Sequence, residues 1–256
     1  MTEAVRSTTK AGSEAYRPTI DEQRRFWDWH WQHWQERKAV SDWALLRGER
    51  VLDIVRSLGL HTANILDLGC GIGWFSDKLT QFGRVTGIDL SADAIAKARA
   101  TYPHITFIAG NALETALPQR RFDLVVSQEV LPHVENQPRY VEVAANALRP
   151  GGYFIVTMCN KFVLERLGSS MWEAWPREHI ERFLPLRNLK TLLRPHFRVL
   201  RATTVLPLGD AGILRLLNSH KLNKALETVL PGRSLEALKE RAGLGLFRIV
   251  LAQRIS

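Results

Sequence analysis

The stretch Ile65-Leu66-Asp67-Leu68-Gly69-Cys70-Gly71-Ile72-Gly73 decides the fold. An apolar run holding a single acid leads into glycines at alternate positions, and Trp74 to Phe82 then carries a helical pattern. The unit reads as a buried strand, a glycine-rich turn and a helix. Glycine lets the backbone turn sharply and come close to a ligand. The turn falls outside the carboxyl end of a strand, where doubly wound sheets bind their ligands. The spacing is not the dinucleotide fingerprint G-x-G-x-x-G, because Trp74-Phe75-Ser76 follows the last glycine.

Further along the chain the same pattern repeats. Gly87-Ile88-Asp89-Leu90-Ser91 ends a second strand with an acid about 20 residues past the turn, where a carboxylate accepts both hydroxyls of a ribose. Ser91 stands at an N-cap position before Ala92–Ala100, a run of good helix formers. Gly110-Asn111-Ala112 ends a third strand, and Phe122-Asp123-Leu124-Val125-Val126-Ser127 forms a fourth. Candidate strands are Asn64–Leu68, Arg84–Ile88, Ile105–Ala109, Leu124–Ser127, Tyr153–Met158, Val199–Val205 and Phe247–Ala252. Helical patterns alternate with them, and Pro150-Gly151-Gly152 stops the helix Pro138–Leu148. The expected class is α/β with a sheet fed by crossover helices.

Two segments lie outside this alternation. Arg24–Leu60 is rich in tryptophan, has no proline and no glycine before Gly48, and is expected to be helical. Trp27, Trp31 and Trp34 share one face by their spacing, whereas Trp29 and Trp43 lie off it. Pro207–Gly245 is an insert with Ile213, Leu216 and Leu217 on one face and Leu222, Leu226, Val229 and Leu230 at another phase. Asn218-Ser219 is a break between two short helices expected to pack on the body.

Composition bounds the rest. The chain has 256 residues, 45% of them hydrophobic, which is enough for one substantial domain with appendages. No apolar run approaches the ~20 residues that span a bilayer. Thr2 to Thr19 is polar and lacks the apolar core of a secretory signal, so the expectation is a cytoplasmic protein. Cys70 and Cys159 are the only cysteines, and no Cys/His spacing marks a metal site. The net charge of +9 fits an anionic partner or a merely basic surface.

Together, ILDLGCGIGWFS, VTGIDLS, AGNA, FDLVVSQEVLPHV and LRPGG resemble the class I S-adenosylmethionine-dependent methyltransferases. Within them the chain is similar to the ubiquinone-biosynthesis O-methyltransferase type and its small-molecule relatives. The resemblance is strong over about 50–160 and continues weakly through Glu178–Phe183 and Phe197–Val199. It implies a Rossmann-like seven-stranded sheet in the order 3-2-1-4-5-7-6, with the last strand antiparallel. It implies an N-terminal helical lid over 21–60 after a loose tail over 1–20, and a domain over 61–256 carrying the insert 207–245 before its last strand.

The cofactor implied is S-adenosyl-L-methionine. The backbone of Gly69 and Gly71 passes its methionine part, with Asp67 near the amino group and Gly73 a further cofactor-binding residue. Asp89 holds the ribose and Leu90 lies beside the adenine. Asn111 and Ala112 border the adenine, where the family often has Asp at the first position. Gln128 lines the methyl-donor end.

For the acceptor, Glu129 and His133 lie in the segment Ser127–Val134, which resembles the E-x-L-x-H-V of the ubiquinone type with Pro132 in place of an acid. Either is a base or an orienting group, or else a structural residue near the site; a base is needed only if the acceptor loses a proton. His179 is a further substrate-site candidate or an exposed helix-terminal residue. Trp27 and Trp31 line a lid over an apolar acceptor or pack as core. The expected partner is a small, partly apolar, anionic acceptor held between the lid and the insert, drawn in by Arg24, Arg25, Arg215 and Lys221. Methylation of nitrogen or carbon is the alternative. RNA is disfavoured, because strand four ends in Ser127-Gln128-Glu129 and not in the Asn/Asp-Pro-Pro-aromatic sequence used on base amines.

Overall fold

The computed structural model describes residues 17–36, 40–167, 180–209, 211–227 and 232–255. Seven strands form one sheet: β1 (Ala63–Leu68), β2 (Gly83–Asp89), β3 (Thr106–Ala109), β4 (Phe122–Gln128), β5 (Leu148–Cys159), β6 (Phe197–Pro207) and β7 (Gly245–Arg254). Their order is 3-2-1-4-5-7-6. Pairings among β1 to β5 are parallel, and β7 runs antiparallel to both β5 and β6. The chain order reverses between β1 and β4, which opens a crevice at their carboxyl ends. All seven expected strands are present, each extended by a residue or more except β3, which starts one residue later.

The central strands are apolar because both faces are covered. Ile65, Leu66, Leu124, Val125 and Val126 are fully buried. On one face they meet Val51, Ile54 and Val55 of α2 (Asp42–Ser57) and Phe75 and Leu79 of α3 (Trp74–Leu79). On the other they meet Tyr140, Val141 and Ala144 of α5 (Gln137–Ala147) and Leu189 and Leu193 of α7 (Leu186–Leu193). Each such side chain contributes roughly 1.5–3 kcal/mol by leaving water.

The Trp-rich segment is two helices, α1 (Ile20–Glu36) and α2. Ser41 caps α2 by accepting the Ala44 N–H at 3.2 Å. The start of α1 draws on the expected loose tail. Thr19 Oγ1 accepts the Glu22 N–H at 3.3 Å while the Glu22 carboxylate accepts the Thr19 N–H at 2.7 Å, a reciprocal capping box. Residues 1–16 of that tail lie outside the described residues. Between β1 and β6, α4 (Ala92–Thr101) starts at Ser91, which caps it as expected by accepting the Ala94 N–H at 3.1 Å, and α6 (Lys161–Leu164) follows β5.

The insert holds three helices rather than two: α8 (Gly212–Leu217), α9 (His220–Glu227) and α10 (Gly232–Arg241). The break between the first two falls at Asn218-Ser219. The third, which the sequence reading did not separate, anchors on the sheet edge through Leu235, which is buried, and through Thr204 Oγ1, which donates to the Glu240 carbonyl at 2.7 Å. No helix among the described residues is long and apolar enough to cross a membrane.

Candidate active site

One cavity of about 740 Å³ opens at the crevice between β1 and β4 and is lined from α1, α2, the strand ends and β7. Its floor is the glycine turn. Gly69, Gly71 and Gly73 have φ of +87°, +53° and +81°, a region that costs any L side chain. A Cβ on Gly69 would stand 2.1 Å from Val130 Cγ2, and one on Gly71 would stand 2.3 Å from Trp31 Cζ2. The turn is pinned to β2, because the Gly69 and Cys70 N–H groups both donate to the Ile88 carbonyl, at 2.8 and 3.0 Å. Of the three glycines, Gly69 and Gly71 line the cavity, whereas Gly73 faces Phe107 and Ala98 behind it. Gly73 is therefore a packing glycine that caps α3, and its expected contact with the cofactor is not observed in the lining.

Two carboxylates flank the turn, Asp67 buried and Asp89 half-buried. Asp67 is 2% exposed and accepts the Ser76 hydroxyl at 2.6 Å. Burial lifts its pKa to about 7, opposed by the Ser76 bond and helped by the nearby charge of Asp89. Asp89 accepts the Gly71 N–H at 2.8 Å on one oxygen and the Ser91 N–H at 2.9 Å on the other. Burial raises its pKa as well, against the lowering effect of those backbone bonds. Each carboxylate oxygen retains a second lone pair. The pair therefore fits a ligand that brings positive charge to Asp67 and hydroxyls to Asp89, which is the donor set of the ammonium, sulfonium and ribose of S-adenosyl-L-methionine. Leu90, Asn111 and Ala112 line the same end. Asn111 Oδ1 accepts the Leu113 N–H at 3.0 Å, which fixes the side chain in a local turn.

The opposite end is built from side chains. Trp27, Trp43, Phe183 and Phe247 line it, contributed by α1, α2, the segment after 180 and β7, while Trp31, whose ring lies against Gly71, and Trp74 join it to the glycine turn. Helix α1 is fastened over the cavity at the N-terminus of α4: Ser91 Oγ donates to Asp28 at 2.6 Å and Gln32 donates to Asp93 at 2.6 Å. His133 Nδ1 lies 2.7 Å from the Ile180 carbonyl. A carbonyl only accepts, so Nδ1 carries a proton and the bond fixes the plane of the ring. The rings of Trp27 and Phe183 meet the imidazole edge-on, with centroids at 5.1 and 6.3 Å.

Glu129 has φ +58°, unusual for glutamate. Its N–H reaches the Thr157 carbonyl and hydroxyl oxygens, each at 3.2 Å, and its Oε1 accepts the Thr157 hydroxyl at 2.7 Å. Arg47 of α2 donates from Nε to Gln128 Oε1 at 3.1 Å, places Nη1 3.9 Å from Glu129 Oε1, and lies 4.7 Å over the Phe247 ring.

The structure thus gathers Asp67, Gly69, Gly71, Asp89, Leu90, Asn111, Ala112, Gln128, Glu129, His133, Trp27 and Trp31 around one cavity. His179 lies outside the described residues, as does the side chain of Trp34. None of the described insert residues between Leu208 and Leu244 lines the cavity, and neither do Arg24, Arg25, Arg215 or Lys221. The insert packs instead on β6 and α2, where Arg50 and Glu240 pair at 2.9 Å. Arg47, Trp43 and Phe183 went unread in the sequence. Trp43 lies off the α1 stripe because it belongs to a second helix, which Ser41 could have signalled.

Known proteins agree with this geometry. Residues 66–156 match the family described as Methyltransferase domain. Over 99 residues the chain is 35% identical to a "Probable S-adenosylmethionine-dependent methyltransferase" of Mycolicibacterium smegmatis, covering 38% of each chain. Over 129 residues it is 33% identical to the ubiquinone biosynthesis O-methyltransferase of Methylobacterium nodulans, covering 47% of this chain and 52% of that protein. The matched region thus spans about half or less of these relatives' own length. The crystal structure of an S-adenosylmethionine-dependent methyltransferase from Mesorhizobium loti superposes with a TM-score of 0.54 at 26% identity, covering 76% of this chain and 92% of that one. Over this region the chain is similar to S-adenosylmethionine-dependent methyltransferases, and its glycine turn and carboxylates fit S-adenosyl-L-methionine as cofactor.

Proposed function

We propose that the chain transfers a methyl group to an oxygen atom of a small, partly apolar molecule. The observation that carries this reading is the aromatic cavity roofed by α1, which adjoins the glycine turn and the carboxylates of Asp67 and Asp89. Flat aromatic walls supply apolar contact at low entropic cost. The bound sulfonium supplies an already activated methyl group, so alignment of the acceptor accounts for most of the catalysis asked of the protein. His133, whose ring is fixed by the bond from Nδ1 to the Ile180 carbonyl, orients the acceptor at this end.

The same lining argues against RNA. Among the described residues around the cavity, Arg47 is the sole arginine or lysine, against six carboxylates: Asp67, Asp89, Glu114, Glu129, Glu135 and Glu181. A phosphate chain needs a basic track. The basic excess of the chain lies elsewhere, which favours a neutral acceptor over the anionic one expected from net charge. Carboxylates at the acceptor end also suit an amine, which makes nitrogen the second reading.

The test is methyl transfer from isotopically labelled S-adenosyl-L-methionine to a panel of phenols, carboxylic acids, amines and transfer RNA, read by mass spectrometry. Methylated phenols are the expected product. Exclusive labelling of amines or RNA would replace this reading.

A further inference from the structure

Arg47 and Glu129 face one another without satisfying one another. Their closest atoms are 3.9 Å apart, beyond hydrogen-bonding reach, although the two side chains are only 11% and 20% exposed. Each is held from outside the pair. Thr157 grips Glu129 through its main chain and its Oε1, and the residue keeps a left-handed backbone to stay there. Gln128 takes the Nε proton of Arg47 and Phe247 supports the guanidinium plane. Among the described residues that Nε bond is the one hydrogen bond of a guanidinium with five N–H donors. The remaining donors face the cavity, where water or a ligand oxygen can meet them.

A gap of this width has a definite chemical match. An atom hydrogen-bonded to both groups at ~2.8 Å closes a triangle on the Arg47–Glu129 side. It must accept from Arg47 and donate to Glu129. An ether oxygen only accepts and an ammonium only donates; a hydroxyl does both. A carboxylate would meet Arg47 but confront Glu129 with like charge.

We propose that Arg47 and Glu129 bracket the hydroxyl of the acceptor, with Arg47 holding its oxygen and Glu129 receiving its proton. This rests on the oxygen-methylation reading above and adds the selecting residues. In the step, the hydroxyl proton passes to the Glu129 carboxylate as the oxygen forms its bond to the methyl carbon; the carbon–sulfur bond breaks with its electron pair left on sulfur. The products are a methyl ether and S-adenosylhomocysteine, and Glu129 then returns its proton to water. Arg47 favours the oxygen as negative charge grows on it.

The test uses the full chain with S-adenosylhomocysteine bound and a series of 4-substituted phenols, each paired with its methyl ether. Calorimetry is expected to show the wild type binding each phenol at least tenfold tighter than its ether. Arg47→Met should erase that preference while keeping S-adenosylhomocysteine affinity within about twofold, and Arg47→Lys should not restore it, because an ammonium lacks the planar fork. Glu129→Gln should slow methylation of unsubstituted phenol by roughly 100-fold, the scale of general-base catalysis. It should slow 4-nitrophenol little, because that phenol ionises unaided; a merely structural glutamate would slow both alike.

Equal binding of phenols and ethers by the wild type overturns the proposal, as does an unchanged preference in Arg47→Met or a uniform loss in Glu129→Gln. Should Arg47→Met fail to fold, the wild-type preference and the Glu129→Gln series still decide. Methylation of amines alone by the wild type overturns the oxygen reading itself, whereas methylation of benzoates alone keeps that reading and overturns the hydroxyl bracket, which separates the two failures.

Discussion

The two ends of the cavity are made differently. The cofactor end is mostly backbone: a glycine turn, its N–H groups and two aspartates at adjacent strand ends, all between Asp67 and Ala112. The acceptor end is side chains from α1, α2, the loop after β4, the segment after 180 and β7. A common donor is held by geometry that tolerates almost no substitution. The proposed acceptor is met by residues whose positions depend on how distant elements pack.

The largest effect that would sharpen this contrast concerns Asp67. A carboxylate whose folded pKa is raised binds a proton in the native state that the unfolded chain has already lost. Its contribution to stability is therefore favourable in acid and falls as pH rises from about 4 to about 7. Asp67→Asn removes that penalty, so the variant is expected to exceed the wild type by up to about 4 kcal/mol above pH 7 and to converge with it near pH 4. Denaturant melts across that range check this, and S-adenosylhomocysteine affinity should fall at the same time. A gap that widened toward acid would reverse the assignment.

Next in size is Gly71→Val. A branched side chain at φ +53°, directed at the Trp31 ring, blocks both the turn and the seating of α1. Cofactor affinity is expected to drop a hundredfold or more, about 3 kcal/mol, by calorimetry. Retained affinity would show that the turn is not the cofactor floor.

On the acceptor side the effects are smaller and more selective. Trp31→Ala is expected to raise the Michaelis constant of a phenol acceptor about tenfold and to cost less than about 1 kcal/mol of stability, as for a partly exposed position. An equal loss in both would make Trp31 a packing residue. Asp28→Ala removes the bond from Ser91 that fastens α1, worth about 1 kcal/mol. Hydrogen exchange over 20–36 should quicken while β1 and β4 stay protected.

What could be read from sequence follows the same division. Strands β1 and β4, the glycine turn, Asp89 and the Ser91 cap are local patterns, each set by neighbours in the chain. Arg47 is different. Its partner Gln128 is 81 residues away and its stacking ring belongs to β7, so nothing near Leu46-Arg47-Gly48 marks it. The carboxylate-rich lining was masked in the same way, because net charge is a sum over surface as well as cavity. The capping pair Thr19 and Glu22 was visible in the sequence, and it places the start of α1 four residues before Arg24.

Calorimetric titration of S-adenosylhomocysteine into Asp89→Ala and Arg47→Met, beside the wild type, bears on the central claim most directly. Asp89→Ala loses a charged acceptor for the ribose hydroxyls and is expected to weaken binding by roughly 1–3 kcal/mol, with Arg47→Met unchanged. Wild-type affinity in Asp89→Ala, or an equal loss in both, would contradict a cofactor end and an acceptor end built independently around one cavity.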